Sequence, residues 1–202
     1  RFDEVCGDRR VLLLPSSGFD PAEVHYAAVW KPKPGELADF ANLRVIFNLG
    51  AGVDALMADR SLPDVPLVRV AVSDLTDRMA EYVVLHVLMH HRQQRRLDEN
   101  QRRKIWDSFP THAASDLAVG IMGLGVMGQD SAERLRDLGF KVAGWSRTRK
   151  HIPGVHCYAG EAEFDSFLRR TDILVSLLTA TPETDGIINR ETIGKLSRKG
   201  PF

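Results

Sequence analysis

The stretch Val119-Gly120-Ile121-Met122-Gly123-Leu124-Gly125-Val126-Met127-Gly128 decides how this chain is read. It opens as an apolar run of strand length, passes through G-x-G-x-x-G, and leads into a segment of helical pattern ending near Leu138. Gly123 permits a tight turn, Gly125 lets the backbone approach a pyrophosphate, and Gly128 lets the helix pack closely on the strand. With Leu124, Val126 and Met127 completing the turn, the phosphates meet free amides and the positive end of a helix dipole. A glycine-rich turn alone would be weak evidence, but the strand before it and the helix after it supply the context that a dinucleotide site requires.

Working outward, strand Leu117–Met122 and helix Val126–Leu138 are followed by strand Lys141–Trp145, helix Glu163–Arg170, strand Ile173–Leu178 and a helical piece near Arg190–Leu196. This βαβαβ alternation predicts a doubly wound parallel sheet. Upstream, the apolar runs Val11–Leu14, Tyr26–Trp30, Leu43–Leu49 and Leu67–Val70 read as strands buried on both faces, and Gly35–Asn42 and Asp54–Arg60 have room for short helices. The expected fold class is α/β, with two doubly wound parallel-sheet domains. The expected layout is a first domain over 1–76, a linking or dimerisation helix over 77–106, and a Rossmann domain over 107–202.

The linking helix opens among the N-cap residues of Ser73–Asp77 and is apolar on nearly every side between Met79 and Met89. Such a helix is expected to be buried between domains or subunits, which predicts a homodimer. Its continuation from Arg92 to Lys104 carries many arginines interleaved with Asp98 and Glu99, the pattern of a solvated helix face. The segment Asp107–Ser115, with Pro110, reads as a linker.

Composition narrows the classes. A 44% hydrophobic content is enough for packed cores, and 27 basic against 27 acidic residues give no general attraction for nucleic acid or an anionic membrane. The chain has no apolar run of the ~18 residues that would span a bilayer, and a cytoplasmic setting is the simplest expectation. Cys6 and Cys157 read as reduced bystanders. The opening RFDEVCGDRR looks like the end of a helix, from which sequence upstream is expected.

Two further segments carry chemistry. Where an NAD enzyme usually places an acid for the ribose hydroxyls, about 20 residues past the glycine turn, this chain reads Trp145-Ser146-Arg147-Thr148-Arg149-Lys150. Arg147 can grip a 2′-phosphate and Ser146 can donate a hydrogen bond to it, so NADP is the expected cofactor. In Leu49-Gly50-Ala51-Gly52-Val53-Asp54, glycines at the end of a buried strand can turn backbone amides toward a small anion, although a tight βα turn is an equally good reading. His86 and His90 have the spacing of a metal pair but no third ligand, so no metal is expected. Thr181-Pro182-Glu183-Thr184 needs only a turn fixed by Pro182.

Taken in order, LGAGVD, DLTDRMAEYVV, GLGVMG, WSRTRK and LLTATPET resemble the D-isomer-specific 2-hydroxyacid dehydrogenases, and most of all their glyoxylate/hydroxypyruvate reductase A branch. The resemblance implies a flavodoxin-like substrate domain beside an NADP-binding Rossmann domain, both incomplete in this chain, and hydride reduction of a small 2-keto acid by NADPH. It implies that the loop at Gly50, Ala51 and Gly52 holds the substrate carboxylate and that Trp30 lies near the substrate. It also places Lys150 on the adenosine side, and Leu178, Thr179 and Pro182 beside the nicotinamide ribose. Thr179 and Ala180 depart from the family's usual Pro and following Leu or Asn. The family's catalytic Arg, Glu and His match no residue here and are expected beyond Phe202, since His151 and His156 fall on the adenosine side. Two rival readings share the fold: a nucleotide-sensing corepressor-like binding protein, and a truncated product that binds cofactor without turnover.

Overall fold

The computed structural model describes residues 4, 6–15, 18–70 and 72–197, so the helix-end reading of RFDEVCGDRR lies partly outside them. The chain divides into two compact units, Arg1–Ala71 and Val72–Phe202.

In the first unit, β1 (Tyr26–Val29), β2 (Val45–Asn48) and β3 (Leu67–Arg69) form a parallel sheet in that order, and a single helical turn, α1 (Asp54–Met57), follows β2. Ala27 and Ile46 point into a core completed by Leu37, Phe40, Leu43 and Leu56. Val11–Leu14 forms no strand: it pairs with no described neighbour and leaves Leu13 88% exposed. Apolar content alone does not make a strand when no neighbouring backbone satisfies its hydrogen bonds. Gly35–Asn42 closes as successive turns, with Ala38 N donating to Gly35 O and Phe40 N to Leu37 O, rather than as a helix. Those turns suffice to bury Leu37 and Phe40.

The second unit opens with α2 (Ser73–His91) and α3 (Gln94–Arg102). The expected continuous helix is broken at Gln93, which adopts a left-handed conformation with φ of 52°. The sheet then comprises β4 (Ala118–Met122), β5 (Lys141–Ser146), β6 (His156–Ala159) and β7 (Ile173–Ser176), with α4 (Val126–Asp137), α5 (Phe164–Arg169) and α6 (Arg190–Gly194) between and after them. All pairings are parallel and the order is β6-β5-β4-β7. Period-2 alternation sends Val119, Ile121, Val142 and Ile173 to the face covered by α2 and α4, and Met122, Ala143 and Trp145 to the face covered by Phe167 and Leu168 of α5. The edge strand β6 escapes sequence reading because His-Cys-Tyr-Ala lacks an aliphatic run and pairs on one side only.

Helix α2, expected as a linking element, packs on α4 within this unit. Val83 and Val87 enter the core, and Arg134 of α4 bonds Asp77 of α2. Burial is therefore confined to one face: Tyr82 and Leu85 on the other side are 60% and 53% exposed.

Candidate functional site

In the second unit the strand order reverses between β4 and β7, and in open α/β sheets the crevice at the carboxyl ends of such a pair receives ligands. The glycine turn sits there. Gly123 has φ of 95°, and a Cβ on it would lie 2.7 Å from Leu177 O. A Cβ on Gly128 would lie 1.9 Å from Gly123 O, so the helix can seat only with hydrogen at this position. Gly125 is different: a Cβ there would meet nothing within 4 Å, so the space above it is open. It caps α4 without a side-chain hydrogen bond, and the first turn of α4 carries no acid. Val126 at the mouth of the turn is 74% exposed, Met127 is half-buried, and the Leu124 side chain is core, covering Gly144. Only the backbone of Leu124 is therefore open to a ligand.

At the end of β5, Trp145 Nε1 donates to Gly160 O at 2.8 Å and anchors the next turn. The two flanking arginines have different fates. Arg149 is tied to Cys157 O and to Glu163, whose carboxyl is held below its ordinary range by the Ala159 amide and by Arg149. Arg147 and Lys150 are exposed and make no hydrogen bond or ion pair with any described residue. Across the same edge Glu183 also lies below its ordinary range, through the Thr181 hydroxyl first, with Arg147 as a smaller contributor. The Ser146 hydroxyl donates to Thr148 O at 2.8 Å, so its proton closes the turn.

The loop after β7 is fastened by Leu177 N donating to Met122 O at 2.8 Å. Its bend depends on Thr184, whose hydroxyl donates to Thr179 O at 2.6 Å and accepts from Thr181 N, while Pro182 stands exposed at the tip. Leu178 and Thr179 line a concavity with Ser176, Thr184 and Ile187. The bend expected of Pro182 alone thus rests on the Thr184 hydroxyl as well, a role that its contacts and not its residue type reveal.

In the first unit the carboxyl ends of the three strands present Trp30, which is 75% exposed, the Gly50–Gly52 loop, and Arg69. Asn48 Nδ2 donates to Gly50 O at 2.8 Å and to Gly52 O at 2.7 Å, and Arg69 Nη1 donates to Ala51 O at 3.3 Å. All three loop carbonyls are thus occupied, whereas the amides of Gly50, Ala51 and Gly52 donate to no described residue. Neither Asn48 nor Arg69 stood out in the sequence. The His86 ring lies tilted against that of Tyr82, centroids 4.2 Å apart, and no group of three His, Cys, Asp or Glu among the described residues is placed to hold a metal.

The reversed strand order, the obligate glycines and the open N-terminus of α4 define a dinucleotide-binding domain of Rossmann type. The family model of the D-isomer specific 2-hydroxyacid dehydrogenase NAD binding domain matches residues 84–202, and the chain belongs to that family. Among curated relatives, glyoxylate/hydroxypyruvate reductase A of Escherichia fergusonii is 41% identical over 96% of this chain and 63% of its own length. The protein of the same name from Yersinia enterocolitica is 38% identical over 88% and 59%. Among solved structures, an NADPH-dependent glyoxylate/hydroxypyruvate reductase from Sinorhizobium meliloti in complex with NADP and sulfate is 47% identical with a TM-score of 0.84, covering 89% of this chain and 57% of that one. A D-isomer specific 2-hydroxyacid dehydrogenase from Xanthobacter autotrophicus Py2 in complex with NADPH and MES is 42% identical with a TM-score of 0.85, covering 91% and 58%. The chain therefore spans about three fifths of the relatives it matches.

Proposed function

We propose that this chain belongs to an NADPH-dependent reductase of small 2-keto acids, glyoxylate and hydroxypyruvate among them. The observation that carries the reading is the unpaired, exposed Arg147 at the ribose end of an intact glycine turn, in a chain that also holds a loop of unspent amides at Gly50–Gly52. The open space over Gly125 and the uncapped start of α4 fit a pyrophosphate, and Arg147 with Lys150 fits a 2′-phosphate. When bound, NADPH supplies the hydride. Gly123–Gly128 would hold the pyrophosphate, and the loop of Leu178, Thr179 and Pro182 would border the nicotinamide ribose. The amides of Ala51 and Gly52 would hold the keto acid carboxylate, with Trp30 beside it. His156 is not proposed as the general acid, because it lies on the edge strand β6 with its ring tilted against Tyr158.

The relatives' names and their NADP complexes support this reading over a corepressor-like binder. The experiment is a steady-state assay of the native-length protein with NADPH or NADH and glyoxylate or hydroxypyruvate. Keto acid-dependent NADPH oxidation, with NADH at least about tenfold poorer in kcat/KM, is the expected result. Cofactor binding without turnover of either acid would refute the enzyme and return the nucleotide-sensing reading.

We also propose a cytoplasmic homodimer that uses the outer face of α2. No helix among the described residues is long and apolar enough to cross a membrane, and both cysteines are free thiols. Tyr82, Leu85 and Met89 recur at helical spacing on the exposed side of α2, an apolar stripe that a second copy would cover. Leu85→Asp is expected to turn a dimer into a monomer in sedimentation velocity without lowering NADPH affinity by more than about twofold. A native protein that sediments as a monomer would end the idea. Val83 is no probe of assembly, because it is buried inside its own unit.

A further inference from the structure

Asn48 closes β2 and is 5% exposed, an uncommon place for an amide side chain in an otherwise apolar strand. Both Nδ2 protons go to main-chain carbonyls two residues apart, those of Gly50 and Gly52. Because a peptide unit is planar and trans, its C=O and the next N–H point in opposite directions. Holding Gly50 O against Asn48 therefore turns the Ala51 N–H away from Asn48, and holding Gly52 O does the same for Val53 N–H. Arg69, on Ala51 O, fixes the remaining plane and with it the Gly52 N–H. Without these donors each plane could rotate and present its carbonyl to an anion, which would repel it.

We infer that Asn48 is a positioning residue for the substrate: it presets the Gly50–Gly52 loop as an amide-lined cradle for the carboxylate of a 2-keto acid, with Arg69 as its accessory. This rests on the reading of that loop as the carboxylate site. Asn48 touches neither substrate nor cofactor in this role. A preset cradle grips the carboxylate equally before and during reaction, so losing it raises KM for the keto acid and leaves kcat nearly unchanged. NADPH, held by the second unit, is unaffected.

The test compares Asn48→Ala, with no proton to offer, and Asn48→Ser, with one, against Ala51→Pro, which deletes an amide of the cradle itself. The assay is glyoxylate reduction by the native-length protein, with melting temperatures recorded beside it. The expected result is a graded rise in KM for glyoxylate, about threefold in the serine variant and about tenfold or more in the alanine variant, with kcat and KM for NADPH within about twofold. Ala51→Pro should raise KM for glyoxylate at least as much. If Ala51→Pro raises it and Asn48→Ala does not, the role of Asn48 is overturned while the loop reading stands. If Ala51→Pro leaves it unchanged, the loop reading itself fails, whatever Asn48 does. A fall in kcat and in NADPH affinity together with the rise would mark Asn48 as a general structural residue and overturn the inference. Should the alanine variant not fold, an unchanged KM in the serine variant overturns it equally.

Discussion

Replacing Gly128 by alanine is expected to abolish measurable NADPH binding and to lower the melting temperature of the second unit. The added methyl would sit 1.9 Å from the carbonyl oxygen of Gly123, which is backbone and cannot swing aside as a side chain could. Gly123 has no room to retreat. Its amide is bonded to Trp145 O at 2.8 Å, and its own Cα faces Leu177 O on the neighbouring strand end. The helix must therefore lift off the sheet, withdrawing the α4 amides from the pyrophosphate. Overpacking a core typically costs ~1–3 kcal/mol, and a clash against pinned backbone belongs at or above the top of that range, so affinity should fall by at least about a hundredfold. Gly125→Ala supplies the contrast, since its methyl would meet open space. That variant should keep the melting temperature while weakening NADPH through direct crowding of the phosphates. Fluorescence titration and thermal melting of both variants check the pair. A Gly128→Ala protein with native stability and affinity would mean that the helix is not seated on the turn as described.

Arg147→Ala should cost NADPH about 1.5–3 kcal/mol, a ten- to hundredfold loss in affinity, and NADH almost nothing. Arg147 has no hydrogen bond or ion pair to give up among the described residues, so its removal leaves the fold intact. Arg149, whose Nη1 donates to Cys157 O at 2.9 Å, has a structural role, and Arg149→Ala should behave in the opposite way. It removes the bond to Cys157 O and the pairing with Glu163, loosening the β5–β6 edge and affecting both cofactors alike. Titration of the two variants with both cofactors separates the cases. Equal losses of NADPH and NADH on removing Arg147 would show that it does not read the 2′-phosphate.

Arg147 and Arg149, separated by one residue in the chain, show where reading from sequence ends. WSRTRK announces a basic turn where an acid would serve NAD, and that inference needs only the position of the segment after the second strand. Which arginine stays free depends on Glu163 and Cys157, residues that the edge strand β6 and the turn before α5 bring to Arg149. Likewise, the apolar pattern of Met79–Met89 announces a helix that must be covered. That one face is covered by α4 in the same unit, leaving Tyr82 and Leu85 outside, follows from packing.

By itself the sequence determined the parallel α/β class, the glycine turn between strand and helix, and the absence of an acid at the end of the second strand. These follow from demands met within a few residues: a positive φ that only glycine takes freely, a periodicity that selects strand or helix, a charge that attracts or repels a phosphate. The tertiary structure alone decided that Val11–Leu14 is no strand, that His156–Ala159 is one, that Thr184 rather than Pro182 by itself fastens the loop after β7, and that Asn48 ties down the carbonyls of Gly50 and Gly52. Each of those outcomes turns on a hydrogen-bond partner that the folded chain either brings within reach or does not, and a donor or acceptor seen in sequence carries no record of what it will face.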